Sequence, residues 1–417
     1  MPGSVDVLVA RQPILNRDAD VVAYELLARR GLDAASWDGL ADDSRTTARI
    51  IGQAFLDMDV WSITEGLPAF INFPRDLLLD GTAEALPSQL TVVEILETVV
   101  PDVAVREACE RLRAAGYRLA LDDVVASDPR LTLLDAVDVA KIDFATTTPE
   151  QRERLVARCH EAGVQVLAEK VERREQHDEA LRLGCDLFQG YFFQKPAVVG
   201  GRRPAGARLL HLHLLRSVTG SGIDRDAIGN MLARNPGAAD RFRRLWPTVV
   251  PSMPAPATIR AALEQLDHAA LVRLVTLLVV VWLGEQHPRP LLDTALIRAR
   301  FCELLVQRGD DGAALDGYLV GLCSLLDALV DEPLDAVLAR IRPSPVLAAA
   351  CLRGEGPLGA TLGLVRAYEH GEWSVVRESS AALGVGGATL GPLYLECLAW
   401  SRQLLHRAGA VKVTAGW

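Results

Sequence analysis

Acidic and amide side chains recur through the first half of the chain, and most of them directly follow a short apolar run. The residues that we single out are Glu25, Asn72, Glu94, Asp122, Asp123, Lys141, Glu169 and Gln189. If the apolar runs are strands of one barrel, their carboxyl ends meet at one mouth and bring these groups together. Carboxylate and amide oxygens are the ligands that Mg2+, Mn2+ and Ca2+ prefer. The pattern therefore predicts a divalent-metal site at a barrel mouth.

The same residues predict a reaction class. We predict that a first ion is held by Glu25, Asn72, Glu94 and Asp122. Asp123 would bridge to a second ion, which Glu169 would complete. Two ions about 4 Å apart hold both oxygens of a phosphodiester during in-line displacement. Lys141 would add a fixed positive charge and Gln189 would hold the attacking water, so we expect metal-assisted phosphodiester hydrolysis.

Some of these residues also have simpler interpretations. Any one carboxylate, taken alone, is better explained as a helix cap or a solvated strand end, and only the joint order points to a site. Lys141 has a second interpretation as a structural partner of Asp122. Arg29 lies four residues after Glu25, on the same side of a turn or short helix, and would pair with a phosphate oxygen. A surface ion pair is the alternative for Arg29.

The elements that must position these side chains alternate along the first half. Predicted strands cover residues 5–10, 69–73, 90–95, 118–122, 137–143, 165–169 and 187–193, and predicted helices cover 44–56, 103–115, 149–162 and 173–183. Strands of nearly continuous apolar character indicate a parallel sheet that is buried on both faces. Seven or eight such units fit a (β/α)8 barrel. Neither GxGxxG nor a P-loop follows a strand, which disfavours an open nucleotide-binding sheet.

The second half has a different periodicity. After a Gly- and Pro-containing stretch at 198–206, which we interpret as a linker, Leu, Ala and Val recur at spacings of three and four. This spacing predicts about nine packed helices. They cover residues 209–218, 226–233, 257–266, 269–282, 293–308, 313–330, 345–353, 358–370 and 389–407.

Composition narrows the class of protein. The chain has 417 residues, 24% of them charged, and this length favours two globular domains. A net charge of −10 argues against a nucleic-acid-binding face. The seven cysteines form no CxxC, which indicates reduced thiols and no structural zinc. No signal peptide is evident, and the longest apolar run, at 274–284, is too short for a membrane span. We therefore expect a cytoplasmic protein.

The first half resembles an EAL domain, the barrel that hydrolyses cyclic di-GMP to a linear dinucleotide. The matching positions are Glu-Leu-Leu at 25–27 for the family's Glu-Ala-Leu, Asn72, the ExxE pair Glu94 and Glu97, Asp122-Asp123 at the start of the DDFGTG loop, Lys141-Ile142-Asp143 for KID, Glu169 for EGVE, and the QGYxFxxP ending from Gln189 to Pro196. The match covers roughly residues 5–197.

The resemblance implies roles for particular residues. It implies that Mg2+ or Mn2+ is held by Glu25, Asn72, Glu94, Asp122 and Asp123, and that Glu25, Lys141, Glu169 and Gln189 are catalytic. It also implies that cyclic di-GMP is contacted by Gln12, Arg29, Asp143 and Pro196. EAL domains often pair, so a homodimer is a further expectation.

The second half resembles an HDOD domain, a helical relative of HD phosphohydrolases that lacks their metal site. The matching runs lie at 227–236, 259–277, 318–327 (similar to GLxSLLD) and 368–373 (YExGxW). We therefore predict an α/β plus all-α protein, with an EAL-type barrel at 1–200 and an all-helical HDOD domain at 201–417. The HDOD domain is expected to relay to an unidentified protein partner, and we expect no nucleic acid and no membrane span.

The chain departs from the pattern of active EAL domains near the second aspartate. It has Val-Val-Ala-Ser-Asp at 124–128, where active members have Phe-Gly-Thr-Gly, and Lys170 replaces the Gly of EGVE. Glycine permits backbone conformations that valine avoids, so we expect loosely held ligands and a reduced rate. Our favoured hypothesis is a regulatory protein that binds or weakly hydrolyses cyclic di-GMP. The alternatives are an active metal-dependent phosphodiesterase and a scaffold that binds no nucleotide.

Overall fold

The structure is a computed structural model of the chain. It describes residues 7–30, 63–190, 205–219, 223–233, 236–250, 256, 258–284, 289–330 and 332–408. Side chains at 28–30 and 205–211 are among those outside the description. The helix predicted at 44–56, most of the linker at 198–206, and Pro196 therefore lie outside the described residues.

Eight strands close into a barrel in chain order. They are β1 (Val7–Leu15), β2 (Val21–Arg30), β3 (Ala69–Phe73), β4 (Thr91–Ile95), β5 (Arg118–Leu121), β6 (Val139–Asp143), β7 (Gln165–Glu169) and β8 (Leu187–Phe188). The predicted bounds of β3 and β7 are confirmed. The expectation of a wholly parallel sheet is wrong for β1, which runs antiparallel to both β2 and β8.

A tight turn explains the reversed first strand. The side-chain oxygen of Asn16 accepts hydrogen bonds from the backbone N–H groups of Asp18 and Asp20, each at 3.0 Å. Asn and Asp favour such turns because their side chains bond to the nearby backbone. The chain therefore returns at once as β2, which is missing from the predicted strands.

Helices cover the outside of the barrel. They are α1 (Arg75–Leu79), α2 (Val103–Ala114), α3 (Pro149–Glu161) and α4 (Arg174–Leu183). A capping box starts α3, in which the side chains of Thr148 and Gln151 each accept a hydrogen bond from the backbone N–H of the other residue. Gly184, with φ of +94°, ends α4 in the left-handed conformation that glycine commonly adopts after a helix.

The second half is all-helical in its described residues, and the predicted fold class is confirmed. Its helices are α5 (Ala205–Thr219), α6 (Arg225–Ala233), α7 (Pro236–Val249), α8 (Ile259–Gln265), α9 (His268–Gly284), α10 (Arg289–Gly309), α11 (Ala314–Cys323), α12 (Leu326–Val330), α13 (Leu334–Ile341), α14 (Pro345–Arg353), α15 (Gly356–Glu369), α16 (Trp373–Ala382) and α17 (Gly387–Ala408). Helices α7, α13 and α16 were not predicted, and the run predicted at 313–330 divides into α11 and α12.

The helical half packs on the barrel through β1. The hydroxyl of Tyr368, on α15, donates to the backbone oxygen of Val9 at 3.1 Å. Glu65, which precedes β3, pairs with Arg11 of β1 at 3.1 Å and with Arg289 of α10 at 2.5 Å. A carboxylate that is only 13% exposed thus lies between two guanidinium groups and links the two halves.

The seven cysteines are all free and buried, as expected. Among the described residues, α16 and α17 pass a length-and-composition test for a membrane span only as a pair bent by 107°, and no helix passes it alone.

Candidate metal and ligand site at the barrel mouth

Strand alternation aims the site residues into the barrel. A buried apolar floor is formed by Ile14, Val22, Ala23, Phe70, Val92, Ala120, Val139, Leu167 and Leu187. In most strands a site residue stands two positions after a residue of this apolar floor. Asn72 follows Phe70 in this way, and Lys141 follows Val139. Because side chains alternate with a period of two, the site residue faces the same interior one layer higher. We predicted this convergence from the positions of the residues at strand ends, and the structure brings the four carboxylates together around Lys141.

Lys141 lies at the centre of the converging carboxylates. Its Nζ atom is 2.6 Å from Glu94 Oε1, 2.7 Å from Glu169 Oε1 and 2.8 Å from Asp122 Oδ1. Glu25 Oε2 is farther, at 3.5 Å. The Lys141 side chain is only 1% exposed, so these ion pairs form out of water. The pairing of Lys141 with Asp122, which was the alternative interpretation, is present as one contact of a larger cluster.

Burial and charge act in opposite directions on this cluster. Burial raises the pKa of Glu94 well above its usual value, and it raises the pKa of Glu169 to about 8, although the Lys141 ammonium opposes both shifts. Burial alone would lower the pKa of Lys141, but the surrounding carboxylates outweigh it and hold that pKa well above the usual value. Glu94 and Glu169 therefore keep a proton to higher pH than an exposed glutamate does, while Lys141 stays charged.

Several ligand atoms have no hydrogen-bond partner among the described residues. They are Oδ1 of Asn72, Oε2 of Glu94 and Oε1 of Gln189, all of them buried, whereas the other Glu94 oxygen is paired with Lys141. Asn72 and Glu94 are register partners on β3 and β4, so their side chains are neighbours. Buried unsatisfied oxygens are costly unless something binds them. The oxygen-rich donor set of Glu25, Asn72, Glu94 and Asp122 therefore fits Mg2+ or Mn2+.

Gln189 and Gln12 bridge the cluster to the first strand. Nε2 of Gln189 donates to Glu25 Oε2 at 2.6 Å and to Gln12 Oε1 at 2.9 Å. Gln12 pairs with Glu25 across the β1–β2 ladder, so the reversed first strand is what brings it to the mouth. The amide of Gln12 also approaches the backbone oxygen of Glu369, on α15, at 3.5 Å.

A second group of charges lies outside the first. Lys170 Nζ is 2.6 Å from Asp143 Oδ2 and 3.4 Å from Asp123 Oδ1. Asp123 and Lys170 both have left-handed backbone conformations, with φ of +45° and +52°. Asp143 also accepts from the backbone N–H groups of Ala145 and Thr146, at 2.6 and 3.0 Å. Burial alone would raise the pKa of Asp143, but these donors and Lys170 hold it below its usual value.

An arginine that we did not single out anchors the altered loop after Asp123. The Arg130 side chain is 1% exposed and pairs with Asp128 at 2.6 Å. It also donates to the backbone oxygens of Asp122, at 2.6 Å, and of Ile95, at 2.8 Å. We expected the loop to hold its ligands loosely. The structure instead fixes the backbone of Asp122 through a buried guanidinium, a contact for which the sequence carries no local signal.

The helical half covers the mouth. A cavity of about 380 Å³ is lined by Gln12, Glu25, Asp122, Asp123, Glu169 and Lys170 from the barrel, and by Asp293, Thr294, Ile297, Glu369, His370, Glu372 and Tyr394 from the helices, among others. A Cβ atom at Gly371 would lie 2.8 Å from Leu27 Cδ1, which shows how closely the turn after α15 approaches β2. We refer to residues 369–372 as the roof turn. Sequence reasoning missed this contribution entirely.

Three predicted residues are placed differently from the rest. Arg29 lies on β2, four positions along a strand from Glu25 and not on a turn or short helix, so that premise was wrong. Its side chain and Pro196 are outside the described residues, and their predicted ligand contacts stay predictions. Glu97 is exposed, and its carboxylate lies within 4.8 Å of those of Asp122 and Asp123.

A closed eight-stranded barrel whose mouth gathers these acids around one lysine is an EAL-type barrel, and the chain belongs to the EAL-domain proteins, with the EAL domain matching residues 6–196. The chain is similar to cyclic di-GMP phosphodiesterase CdgJ of Vibrio cholerae, with 30% identity over 400 residues that cover 95% of this chain and 92% of that protein. It is also 28% identical to YuxH of Bacillus subtilis, over 96% of this chain and 99% of that one.

Among solved structures, the barrel is similar to BlrP1 of Klebsiella pneumoniae, described as a manganese and cyclic di-GMP complex. The two are 25% identical, with a TM-score of 0.38, over 46% of this chain and 56% of that chain. The assignment of the helical half to the HDOD family and the boundary at residue 200 stay predictions.

Proposed function

We propose that the barrel mouth binds cyclic di-GMP together with a divalent ion and hydrolyses it slowly at most. The observation that carries the proposal is the convergence of Glu94, Asp122 and Glu169 within 2.8 Å of the Lys141 ammonium, next to a cavity that Asp122 and Glu169 line. The name of CdgJ, a relative over nearly the whole chain, supports the nucleotide and the reaction class.

The ion would be Mg2+ or Mn2+, held by Glu25, Asn72, Glu94 and Asp122. When bound, such an ion supplies polarisation of a phosphate oxygen and a water of lowered pKa. The partnerless oxygens of Asn72 and Glu94 support this assignment, because a cation would satisfy both.

The chain's own residues would bind and orient the phosphodiester. Lys141 offers the single buried ammonium at the floor of the described mouth, and it is held in place by several carboxylates. Gln189 is fixed by its bonds to Glu25 and Gln12, which leaves its Oε1 atom to accept a hydrogen bond from the attacking water. Glu169, whose pKa burial raises to about 8, is suited to exchange a proton with a reacting group near neutral pH.

A second candidate, a fully active phosphodiesterase, rests on the anchored backbone of Asp122. Arg130 fixes that backbone, which removes one reason for a reduced rate. The proposal of slow turnover therefore depends on the second group of charges, around Lys170, and not on a loose first group.

We further propose that ligand binding is relayed to the helical half through the roof turn. Glu369 lines the cavity, and its carboxylate accepts from Arg298 of α10 at 2.5 and 3.1 Å. Arg298, fully buried, also donates to Ser324 Oγ at 3.1 Å, at the end of α11. A ligand that moves the roof turn would thus act on two packed helices. The protein partner and the homodimer stay predictions that follow from the resemblance alone.

We expect titration calorimetry with Mn2+ to show one cyclic di-GMP bound per chain, with linear dinucleotide forming slowly or not at all. Glu25→Ala should weaken binding by about tenfold or more, because it removes one ion ligand and frees Gln189. Chromatography of the same samples measures turnover. Rapid formation of linear product would favour the active phosphodiesterase, and the absence of any binding would favour the scaffold and overturn the proposal.

Hydrogen exchange followed by mass spectrometry tests the relay. On addition of cyclic di-GMP, we expect slower exchange in peptides spanning 366–373 as well as in those spanning the barrel mouth, because ligand and roof turn share the cavity. The Glu25→Ala chain serves as a control that lacks the binding response. Slowing confined to residues 7–190 would contradict the relay while leaving binding intact.

A further inference from the structure

Two clusters of opposite charge stand side by side at the mouth, and they differ in composition. The inner cluster holds four carboxylates, those of Glu25, Glu94, Asp122 and Glu169, against the single ammonium of Lys141. The outer cluster holds the carboxylates of Asp123 and Asp143 against the ammonium of Lys170. When every group is ionised, four carboxylates and one ammonium give the inner cluster a net negative charge that a divalent ion would offset. Two carboxylates and one ammonium leave the outer cluster with a single net negative charge.

The position of the outer ammonium bears on the two-ion expectation. An ion that bridged Asp122 and Asp123 would bind the Asp123 carboxylate, whose Oδ1 atom is 3.4 Å from Lys170 Nζ. Lys170 is held there from its other side by Asp143, at 2.6 Å, and Asp143 is itself fixed by two backbone N–H donors. The ammonium is therefore a built part of the mouth and repels a second cation at short range.

The backbone of Lys170 adopts a conformation that is unfavourable for a residue with a side chain. Lys170 has φ of +52°, a region in which glycine is unstrained and a side chain with a Cβ atom is not. It directly follows Glu169, the last residue of β7, and precedes Val171, whose N–H donates to Gln189 at 3.1 Å. Both neighbours thus belong to the mouth, which fixes where the lysine can reach.

We propose that Lys170 takes the place of a second metal ion, so that the mouth of this chain binds one divalent ion and not two. The inference rests on the proposed function, because it assumes an ion in the inner cluster. It makes Lys170 a specificity-determining residue for the cation content of the site, and it gives the slow turnover a cause. With one ion, only one end of the scissile phosphodiester is held by a metal.

Counting Mn2+ ions on the full chain, without nucleotide, tests the inference directly. Electron paramagnetic resonance of free Mn2+ during titration should show one bound ion per wild-type chain. Lys170→Gln should bind two, with affinity for the second ion raised about tenfold or more, because one like charge has been removed. Lys170→Gly is a second variant, whose backbone suits the left-handed conformation. Thermal melting of each confirms that it is folded.

A matched control is available in the helical half. Arg243 is 52% exposed and ion-paired to Asp240, as Lys170 is 52% exposed and ion-paired to Asp143. Arg243→Gln removes the same charge and should leave one ion per chain. Two ions on the wild-type chain, or one ion on both Lys170 variants, would overturn the inference alone. No ion on any of these proteins would overturn the metal site of the proposed function as well.

Discussion

Replacing Lys141 by methionine is expected to lower the free energy of unfolding by about 3–5 kcal/mol at pH 9 in the absence of divalent ions. The substitution keeps the volume of the side chain and removes the ammonium that contacts Glu94, Asp122 and Glu169 within 2.8 Å. Because the lysine is 1% exposed, water cannot take over its role. The carboxylates are then left as uncompensated buried charges.

The loss should depend on pH with a definite sign. Burial raises the pKa of Glu94 and sets that of Glu169 to about 8, against an ordinary value of 4.5. At a pH above 4.5 but below the raised pKa values, the folded protein keeps protons on Glu94 and Glu169 that the unfolded chain has released. The free energy of unfolding therefore falls as pH rises. Without Lys141 the folded-state pKa values rise further. The variant should therefore be penalised less at pH 5.5 than at pH 9.

Urea unfolding in EDTA at pH 5.5 and 9 measures both effects, and adding Mn2+ at pH 9 should restore part of the loss. Lys170→Met is the matched control, because that lysine is 52% exposed and its loss should cost less than about 1 kcal/mol. Equal losses for the two variants, or a Lys141→Met loss that does not change with pH, would show that the carboxylates are not ionised against Lys141.

The second large effect is expected from Gly190→Ala. Gly190 has φ of +147°, and a Cβ atom there would lie closer than 3.0 Å to the backbone nitrogen and oxygen of Val171. Backbone atoms in neighbouring strand ends cannot move independently, so segments 189–190 and 169–171 must separate. We expect a loss of roughly 3 kcal/mol or more, from overpacking together with backbone strain.

This separation should also weaken ligand binding, because the displaced segments carry Gln189 and Glu169. Calorimetry with cyclic di-GMP and Mn2+ should show affinity reduced about tenfold or more. Gly163→Ala is the matched control, since Gly163 also has positive φ, +74°, but a Cβ atom there would meet nothing within 4 Å. That change should cost about 1 kcal/mol and leave binding unaltered. Similar effects from both variants would contradict the close-approach explanation.

Much of the barrel site could be predicted because local patterns determine it. The alternation of strand side chains places Asn72 above Phe70 and Lys141 above Val139 whatever the rest of the chain does. Each β-α unit adds one strand beside the last, so acids that are far apart in sequence meet at one end. These two rules explain why the side chains that we propose as ion ligands lie together.

The resemblance to two-domain proteins marked residues whose physical role only the structure explains. In the YExGxW run, Tyr368 bonds to Val9, Glu369 pairs with Arg298, and Gly371 packs against Leu27. In the GLxSLLD run, Ser324 accepts from the same arginine. These contacts join α15 to the barrel on one side and to α10 on the other. No periodicity of either run indicates a partner in another half of the chain.

The sequence by itself determined the fold class, the order of the ligand-bearing strands and the acids of the inner cluster, because strand and helix periodicities depend only on neighbouring residues. The tertiary structure decided the reversed first strand, the Arg130 anchor, the roof turn and the placement of Lys170. Lys170 meets Asp143 and Asp123 from 27 and 47 residues away. Such contacts depend on register and packing between distant segments, which local patterns do not encode.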